Sequence, residues 1–210
     1  MKYKAALFDL DGVIIDSEPL HMAAFKSTLS AHGYQLSDTD YTEYFEGRSD
    51  EDGFRLYFSS MNKSVDLSSF MADKADAYLA ISAHQLIPYH GIQPLIKDLS
   101  AHIPVALVTG SLRSEAETAL DICGVRACFK TIVAADDVSN GKPDPEGYFK
   151  AASAVGVNPS ECVVIEDSPS GVHAAKTAGM HCIAVTTTHL PSQLAQADQV
   201  VDRLDISLFQ

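Results

Sequence analysis

Basic residues are scarce in this chain of 210 residues: 15 Lys and Arg stand against 28 Asp and Glu, a formal charge of −13. That balance argues against nucleic acid as a partner, because phosphate backbones select clustered Lys and Arg, and against an anionic membrane surface for the same reason. A small phosphorylated metabolite stays admissible, since a metal ion and one or two local cations can dominate a single pocket. Cysteine is also sparse. Cys123, Cys128, Cys162 and Cys182 make no CxxC pair and no zinc-type spacing with histidine. Cys162 and Cys182 open apolar runs, where a free thiol packs as a small core residue. No run approaches membrane-spanning length. The stretch MKYKAALFDLDG is too short in apolar residues, and too soon broken by acids, to be a secretory leader. A reducing cytoplasm is therefore the expected location. Repeats and low-complexity segments are lacking. With 46% hydrophobic and 20% charged residues, the chain can bury a sizeable core without disulfide or metal staples.

What is present is an alternation of strand and helix signals. HIPVALVTG (102–110), KTIVAAD (130–136), ECVVIED (161–167) and HCIAVTT (181–187) read as buried strands. SEAETALDICG (114–124), PEGYFKAASAVG (145–156) and SPSGVHAAKTAG (168–179) read as the helices between them, each ending at a glycine. Strands separated by helix-length segments imply βαβ units and a mostly parallel sheet with helices on both faces. Residues 16–88 differ. They hold no convincing strand, apolar residues recur at helical spacing (Met22, Phe25, Leu29), and four helices fit, near 18–32, 38–45, 50–61 and 66–85. The expected architecture is an α/β, Rossmann-like parallel-sheet core of residues 1–15 and 89–210. An α-helical cap of residues 16–88 is inserted after the first strand. A helical lid beside a parallel sheet suits a reaction that must be shut off from water.

Ligands of open parallel sheets sit beyond the carboxyl ends of the strands, and four such ends carry chemistry here. The run AALFDLDG ends on Asp9 and Asp11. Side chains alternate along a strand, so Asp9 and Asp11 point one way and Leu10 points into the core. Two like charges so placed need compensation, most simply from a hard divalent cation. The second strand ends on Thr109-Gly110-Ser111, a hydroxyl and loosened amides suited to a phosphate. Lys142 in GKPDP could neutralise phosphoryl oxygens, and Glu166-Asp167 form a second acidic pair. Each has a plainer explanation alone: a solvated turn for DLDG, a helix cap for Thr-Gly-Ser, a surface lysine for Lys142, and acids favouring the next helix N-terminus for Glu166-Asp167. Together, at consecutive strand ends, they point to one crevice.

The ordered set FDLDGV, LVTGS, GKPDP and VIEDS resembles the haloacid dehalogenase superfamily, in the branch with a four-helix cap that includes β-phosphoglucomutase and sugar-phosphate phosphatases. The resemblance implies an Mg2+-dependent phosphatase of a small phosphorylated metabolite such as a sugar phosphate. Asp9 would be the nucleophile that forms an aspartyl-phosphate, and Asp11 the acid and base. Asp9, the Asp11 backbone carbonyl and Asp167 would hold the metal, with Glu166 as a ligand or just behind. Thr109, Gly110, Ser111 and Lys142 would hold the phosphoryl oxygens. Dehalogenase members lack an aspartate at the Asp11 position, so its presence favours phosphoryl transfer. A monomer is the default expectation, because a cap must move.

The alternative within the branch is a β-phosphoglucomutase-type mutase. Mutases carry an arginine for a second phosphate in the stretch resembling FEGRSDED (45–52), and here that position holds Asp50, with Gly47, Arg48 and Ser49 before it. Arg48 lies two residues away, about 200° around a helix. His21 and Lys74 fall where mutases have a histidine and a cap lysine, but His21 is shared with phosphatases and Lys74 reads first as a solvated helix lysine. A receiver domain, which also phosphorylates an aspartate at a strand end, would be shorter and lack the helical insertion. DLDG is no EF-hand loop, since its glycine comes too early, and NGKP is no phosphate-loop lysine, since Pro143 replaces Ser or Thr.

Overall fold

In the computed structural model, which describes residues 1–46 and 48–210, the first apolar run forms strand β1 (Ala5–Phe8), buried along its whole length. Four further apolar runs give β2 (Val105–Val108), β3 (Phe129–Val133), β4 (Cys162–Glu166) and β5 (His181–Val185), and a short half-buried strand, β6 (Gln199–Val201), closes the edge. The six strands form one sheet in the order β3-β2-β1-β4-β5-β6, every pair parallel. The order reverses beside β1, so the carboxyl ends of β2, β1 and β4 flank the switch point, where such sheets hold ligands.

Parallel strands need helical crossovers, and these cover both faces. Helices α7 (Glu146–Val155) and α8 (Pro169–Thr177) bring Tyr148, Ala151, Ala152, Val172, Ala174 and Ala175 onto the face carrying Ala5, Leu7, Ala106, Val108, Val164 and Ala184. Cys162 and Cys182 sit in this same cluster as free thiols, as their strand positions predict. Helix α5 (Ile92–Ser100) buries Ile92, Leu95, Ile96 and Leu99 and packs on β2; α6 (Arg113–Ile122) follows β2. The sequence reading has no element over 92–100. Its Pro94 stands third in the helix, where the amide it lacks has no intrahelical partner anyway.

The chain divides into two compact units, residues 1–17 with 87–210, and residues 18–86. Asp16 and Ser17 therefore stay with the sheet unit rather than leaving it at residue 16. The Asp16 amide donates to Ile87 O (3.3 Å), the Tyr89 amide to Ile14 O (2.9 Å), and Ile15 bridges Pro88 in antiparallel fashion. The exit and the return of the chain thus run side by side. The other unit holds α1 (Glu18–Ala31), α2 (Asp38–Tyr44), α3 (Asp50–Ser60) and α4 (Leu67–Gln85) around an aromatic core that includes Phe25, Tyr41, Phe45, Phe54, Tyr57, Phe58 and Phe70. Three of its helix starts are capped: Ser37, Ser49 and Asp66 each accept an amide of the first turn. Among the described residues no helix is long and apolar enough to cross a membrane.

Candidate active site

β1 ends at Phe8, Asp9 just beyond it still gives its amide to Ile165 O of β4 (3.0 Å), and Asp11 stands on the turn that follows. The Leu10 carbonyl accepts the amides of Val13 (3.3 Å), Ile14 (2.8 Å) and Ile15 (3.1 Å), and the Leu10 side chain is buried beneath them. Strand alternation is therefore not what places the two acids; this turn is. Gly12 has φ +75°, and a Cβ there would overlap the Asp167 carboxylate. The glycine both permits the left-handed turn and lets the two acidic loops touch.

Four strand ends do converge, and their electrostatics are specific. Glu166, at the end of β4, is fully buried. Its Oε1 accepts from Lys142 Nζ (2.6 Å) and Tyr148 Oη (2.9 Å), and its Oε2 from the amides of Asp167 (3.0 Å) and Ser168 (3.1 Å) and from Ser168 Oγ (3.0 Å). Burial alone would raise this carboxyl, but the Lys142 charge and these hydrogen bonds hold it below its ordinary range. Lys142 is no surface lysine: its side chain is 14% exposed and also stands 2.8 Å from Asp9 Oδ1. Burial opposes its charge, yet Asp9 and Glu166 outweigh that and push the ammonium above its usual range.

The other two acids are less well served. Burial, then the charges of Glu166, Asp167 and Asp11, keeps the Asp9 carboxyl well above 3.8 despite Lys142. Burial and the Glu166 charge push Asp167 up to about 7. Asp9, Glu166 and Asp167 each bring an oxygen within 4.8 Å of the others. Lys142 lies near Asp9 Oδ1 but out of line for a hydrogen bond, so this buried oxygen has no aligned donor. Three carboxylates this close, served by one ammonium and with two of them held above their ordinary range, form a set of hard oxygen ligands that fits a divalent cation of the Mg2+ class. Glu166 has both oxygens taken by protein donors, so Asp9 and Asp167 are the side chains with capacity to spare.

Asp11 is held from two sides. Ser17 Oγ donates to its Oδ1; Ser111 Oγ (2.6 Å) and, weakly, Thr109 Oγ1 (3.5 Å) donate to its Oδ2. Thr109 Oγ1 also accepts the Ser111 amide at 3.0 Å. The Thr109-Gly110-Ser111 hydroxyls thus face the acids, as the sequence placed them, and the Ser111 amide is engaged by its neighbour.

Against known sequences, the family described as haloacid dehalogenase-like hydrolase matches residues 6–185. The chain belongs to the haloacid dehalogenase-like hydrolases. It is 38% identical over 205 residues to a validoxylamine A 7'-phosphate phosphatase of Streptomyces hygroscopicus subsp. limoneus, covering 96% of this chain and 94% of that protein. It is 30% identical over 184 residues to a fructose-1-phosphate phosphatase of Escherichia coli strain K12, covering 88% and 97%. Among solved structures it is similar to a putative β-phosphoglucomutase of Thermotoga maritima, with a TM-score of 0.80, 27% identity and coverage of 95% and 94%. Sequence relatives of this hydrolase are thus phosphatases of phosphorylated sugars and related metabolites, and the parallel-sheet fold is the family's.

The helical unit of this hydrolase corrects one expectation. Lys74 is 1% exposed, not solvated. Its Nζ lies 2.8 Å from Asp50 Oδ2 and 3.0 Å from His21 Nδ1, and the His21 ring stacks on Tyr78 at 4.3 Å between centroids. Asp50, at the position where mutases carry arginine, is the partner of this buried lysine. Arg48 is exposed and reaches the Glu46 carbonyl (3.4 Å); Gly47 lies outside the described residues. Sequence reasoning also missed Tyr148, Ser17 and the threonines after β5. Only the last had a usable signal, since the end of β5 faces the same crevice as its neighbours.

One glycine carries a prediction. A Cβ on Gly171, in the first turn of α8, would overlap the Glu166 carboxylate. Gly171→Ala is expected to destabilise by about 1–3 kcal/mol, as overpacking does, and to lower activity by displacing the anchor of Lys142. Thermal unfolding beside a phosphatase assay checks this; an unchanged melting temperature would contradict it.

Proposed function

We propose that this chain is a Mg2+-dependent phosphomonoesterase of a small phosphorylated sugar or related metabolite, working through an aspartyl-phosphate on Asp9. The observation that carries the reading is the buried Asp9 carboxylate. It is flanked by Lys142 and Asp167, and one oxygen has no aligned donor. Asp9 attacks phosphorus, the bond to the leaving oxygen breaks, and Asp11 gives that oxygen a proton. A water then attacks the aspartyl-phosphate, passes a proton to Asp11, and the bond between phosphorus and the Asp9 oxygen breaks to release phosphate. Thr109, Gly110 and Ser111 bind phosphoryl oxygens, and Lys142 offsets the gathered negative charge. Asp9, Asp167 and the Asp11 carbonyl would hold Mg2+, which when bound neutralises phosphoryl charge; Glu166 fixes Lys142 and the Asp167 amide behind them.

Within the helical unit Lys74 is paired with Asp50 and His21. Phosphatase is favoured over mutase because Asp50 neutralises Lys74, which leaves less positive charge for a second phosphate. The test is phosphate release from a panel of sugar and polyol phosphates, including fructose 1-phosphate and glucose 1-phosphate. Release should be metal-dependent and fall at least about 100-fold in EDTA. Isomerisation that needs a bisphosphate, with little free phosphate, would make it a mutase instead.

Metal should also stabilise the fold. At 100 times its Kd, a ligand adds about 2.7 kcal/mol, roughly 5–10 °C for a chain of this size. Because Asp167 titrates near 7 and must lose its proton to bind metal, the Mg2+-induced shift in Tm should be larger at pH 8 than at pH 6. An equal shift at both would refute proton–metal competition at Asp167.

A further inference from the structure

The loop after β5 reads Thr186-Thr187-Thr188-His189, and two of its hydroxyls reach two different acidic loops. Thr187 Oγ1 donates to the Gly12 carbonyl, in the turn that carries Asp9 and Asp11. Thr188 Oγ1 donates to Asp167 Oδ2 and lies 3.3 Å from the Asp167 carbonyl. The Thr188 methyl group would stand 3.0 Å from a Cβ placed on Gly12, so the three segments are packed against one another. A hydroxyl has one proton, and the Asp167 carboxylate takes it. His189 Nδ1 lies 2.8 Å from the same Thr188 oxygen and, in the tautomer with its proton on Nδ1, donates to it. The relay runs from His189 through Thr188 to Asp167.

We propose that Thr187 and Thr188 are positioning residues that clamp the Asp9–Gly12 turn and the Asp167 carboxylate in register, so that Asp167 presents its other oxygen toward Asp9. Thr188 is the stronger arm because it acts on the carboxylate itself, and His189 orients it. Neither threonine touches the reacting atoms. The inference rests on the reading of Asp9 and Asp167 as metal ligands. Hydrogen-bond partners behind metal ligands matter because they fix ligand orientation, and losing one typically costs about 10–100-fold in metal affinity.

The test is calorimetric titration of the whole protein with Mg2+ alone, for wild type, Thr188→Val, Thr188→Ser and Thr187→Val. Thr188→Val keeps the shape and removes the donor; it should weaken Mg2+ binding by about 10–100-fold. Thr188→Ser keeps the hydroxyl and should stay near wild type, and Thr187→Val should fall between. In turnover, the Mg2+ concentration for half-activation should rise in Thr188→Val, while kcat at saturating Mg2+ largely recovers. Wild-type Mg2+ affinity in Thr188→Val would overturn the clamp and leave the acid cluster standing as a metal site. A lowered Tm in that variant without a change in Mg2+ affinity would likewise overturn it, as a merely structural role. Failure of the wild type itself to bind Mg2+ would overturn the metal reading, and the clamp with it.

Discussion

Asp9→Asn is expected to lower turnover by at least about 10,000-fold, the scale of losing a nucleophile that acts as part of a unit, and at the same time to raise the stability of the metal-free protein. The first effect is chemical. An amide nitrogen or oxygen does not form the acyl-phosphate that the proposed mechanism requires, and water lacks a positioned substitute.

The second effect is electrostatic, and its sign follows from the site. Asp9 is buried beside Glu166, Asp167 and Asp11, and its carboxyl in the folded protein lies well above 3.8. Between the unfolded and the folded value, the native state holds a proton that the unfolded chain has released. Stability therefore falls as pH rises through that window. An asparagine has no such slope. Its stability advantage, measured in EDTA, should grow from pH 5 to pH 8 and reach about 0.5–2 kcal/mol, the usual scale for relieving a functional site. Lys142 keeps its bond to Glu166 (2.6 Å) in the variant, so removing the Asp9 charge strands no cation. A variant less stable than wild type at pH 8 would mean that attraction to Lys142 outweighs the crowding of acids. Substantial turnover would remove Asp9 from the nucleophile's role.

The parts of this molecule that were legible in the sequence are those where local pattern and topology coincide. Apolar runs such as Val105–Val108 and Cys162–Glu166 could only be buried strands, and a parallel sheet then sends Asp9, Thr109, Lys142 and Glu166 to one edge. The helical segment is legible from the helical spacing of its apolar residues, such as Met22, Phe25 and Leu29. What stayed hidden depends on contacts distant along the chain. Whether Lys74 is solvated is decided by Asp50 and His21; nothing in DKADAY reports it. Tyr148 reads as one more apolar residue of α7 until its hydroxyl is seen on Glu166. The placement of Asp9 and Asp11 was inferred from a strand that in fact ends at Phe8. The two acids are neighbours because three amides close on the Leu10 carbonyl, and a period of two does not reveal a turn.

Lys142→Met should give the largest loss of stability in the sheet unit. In the wild type the Glu166 carboxyl lies below 4.5, so its contribution is present above that value and lost only in acid. Removing the ammonium leaves a fully buried carboxylate and a second buried acid without their cation. Breaking a buried pair in this way costs about 3–5 kcal/mol, roughly 6–20 °C for a chain of this size. The pH dependence should reverse as well. Burial, opposed now only by the hydrogen bonds of Tyr148, Asp167 and Ser168, raises Glu166, and the variant's deficit in Tm should widen from pH 5 to pH 8. A narrowing deficit would show that Lys142 acts through packing on Tyr148, whose ring lies 5.5 Å away, rather than through charge. The double variant Lys142→Met, Glu166→Gln separates the two causes. With the fully buried Glu166 charge removed, it should recover at least half of the lost stability while turnover stays lost, because the ammonium proposed to offset the phosphoryl oxygens is still missing. Recovery of turnover with stability would mean that Lys142 only holds the fold, and the phosphate would have to be balanced by some other group.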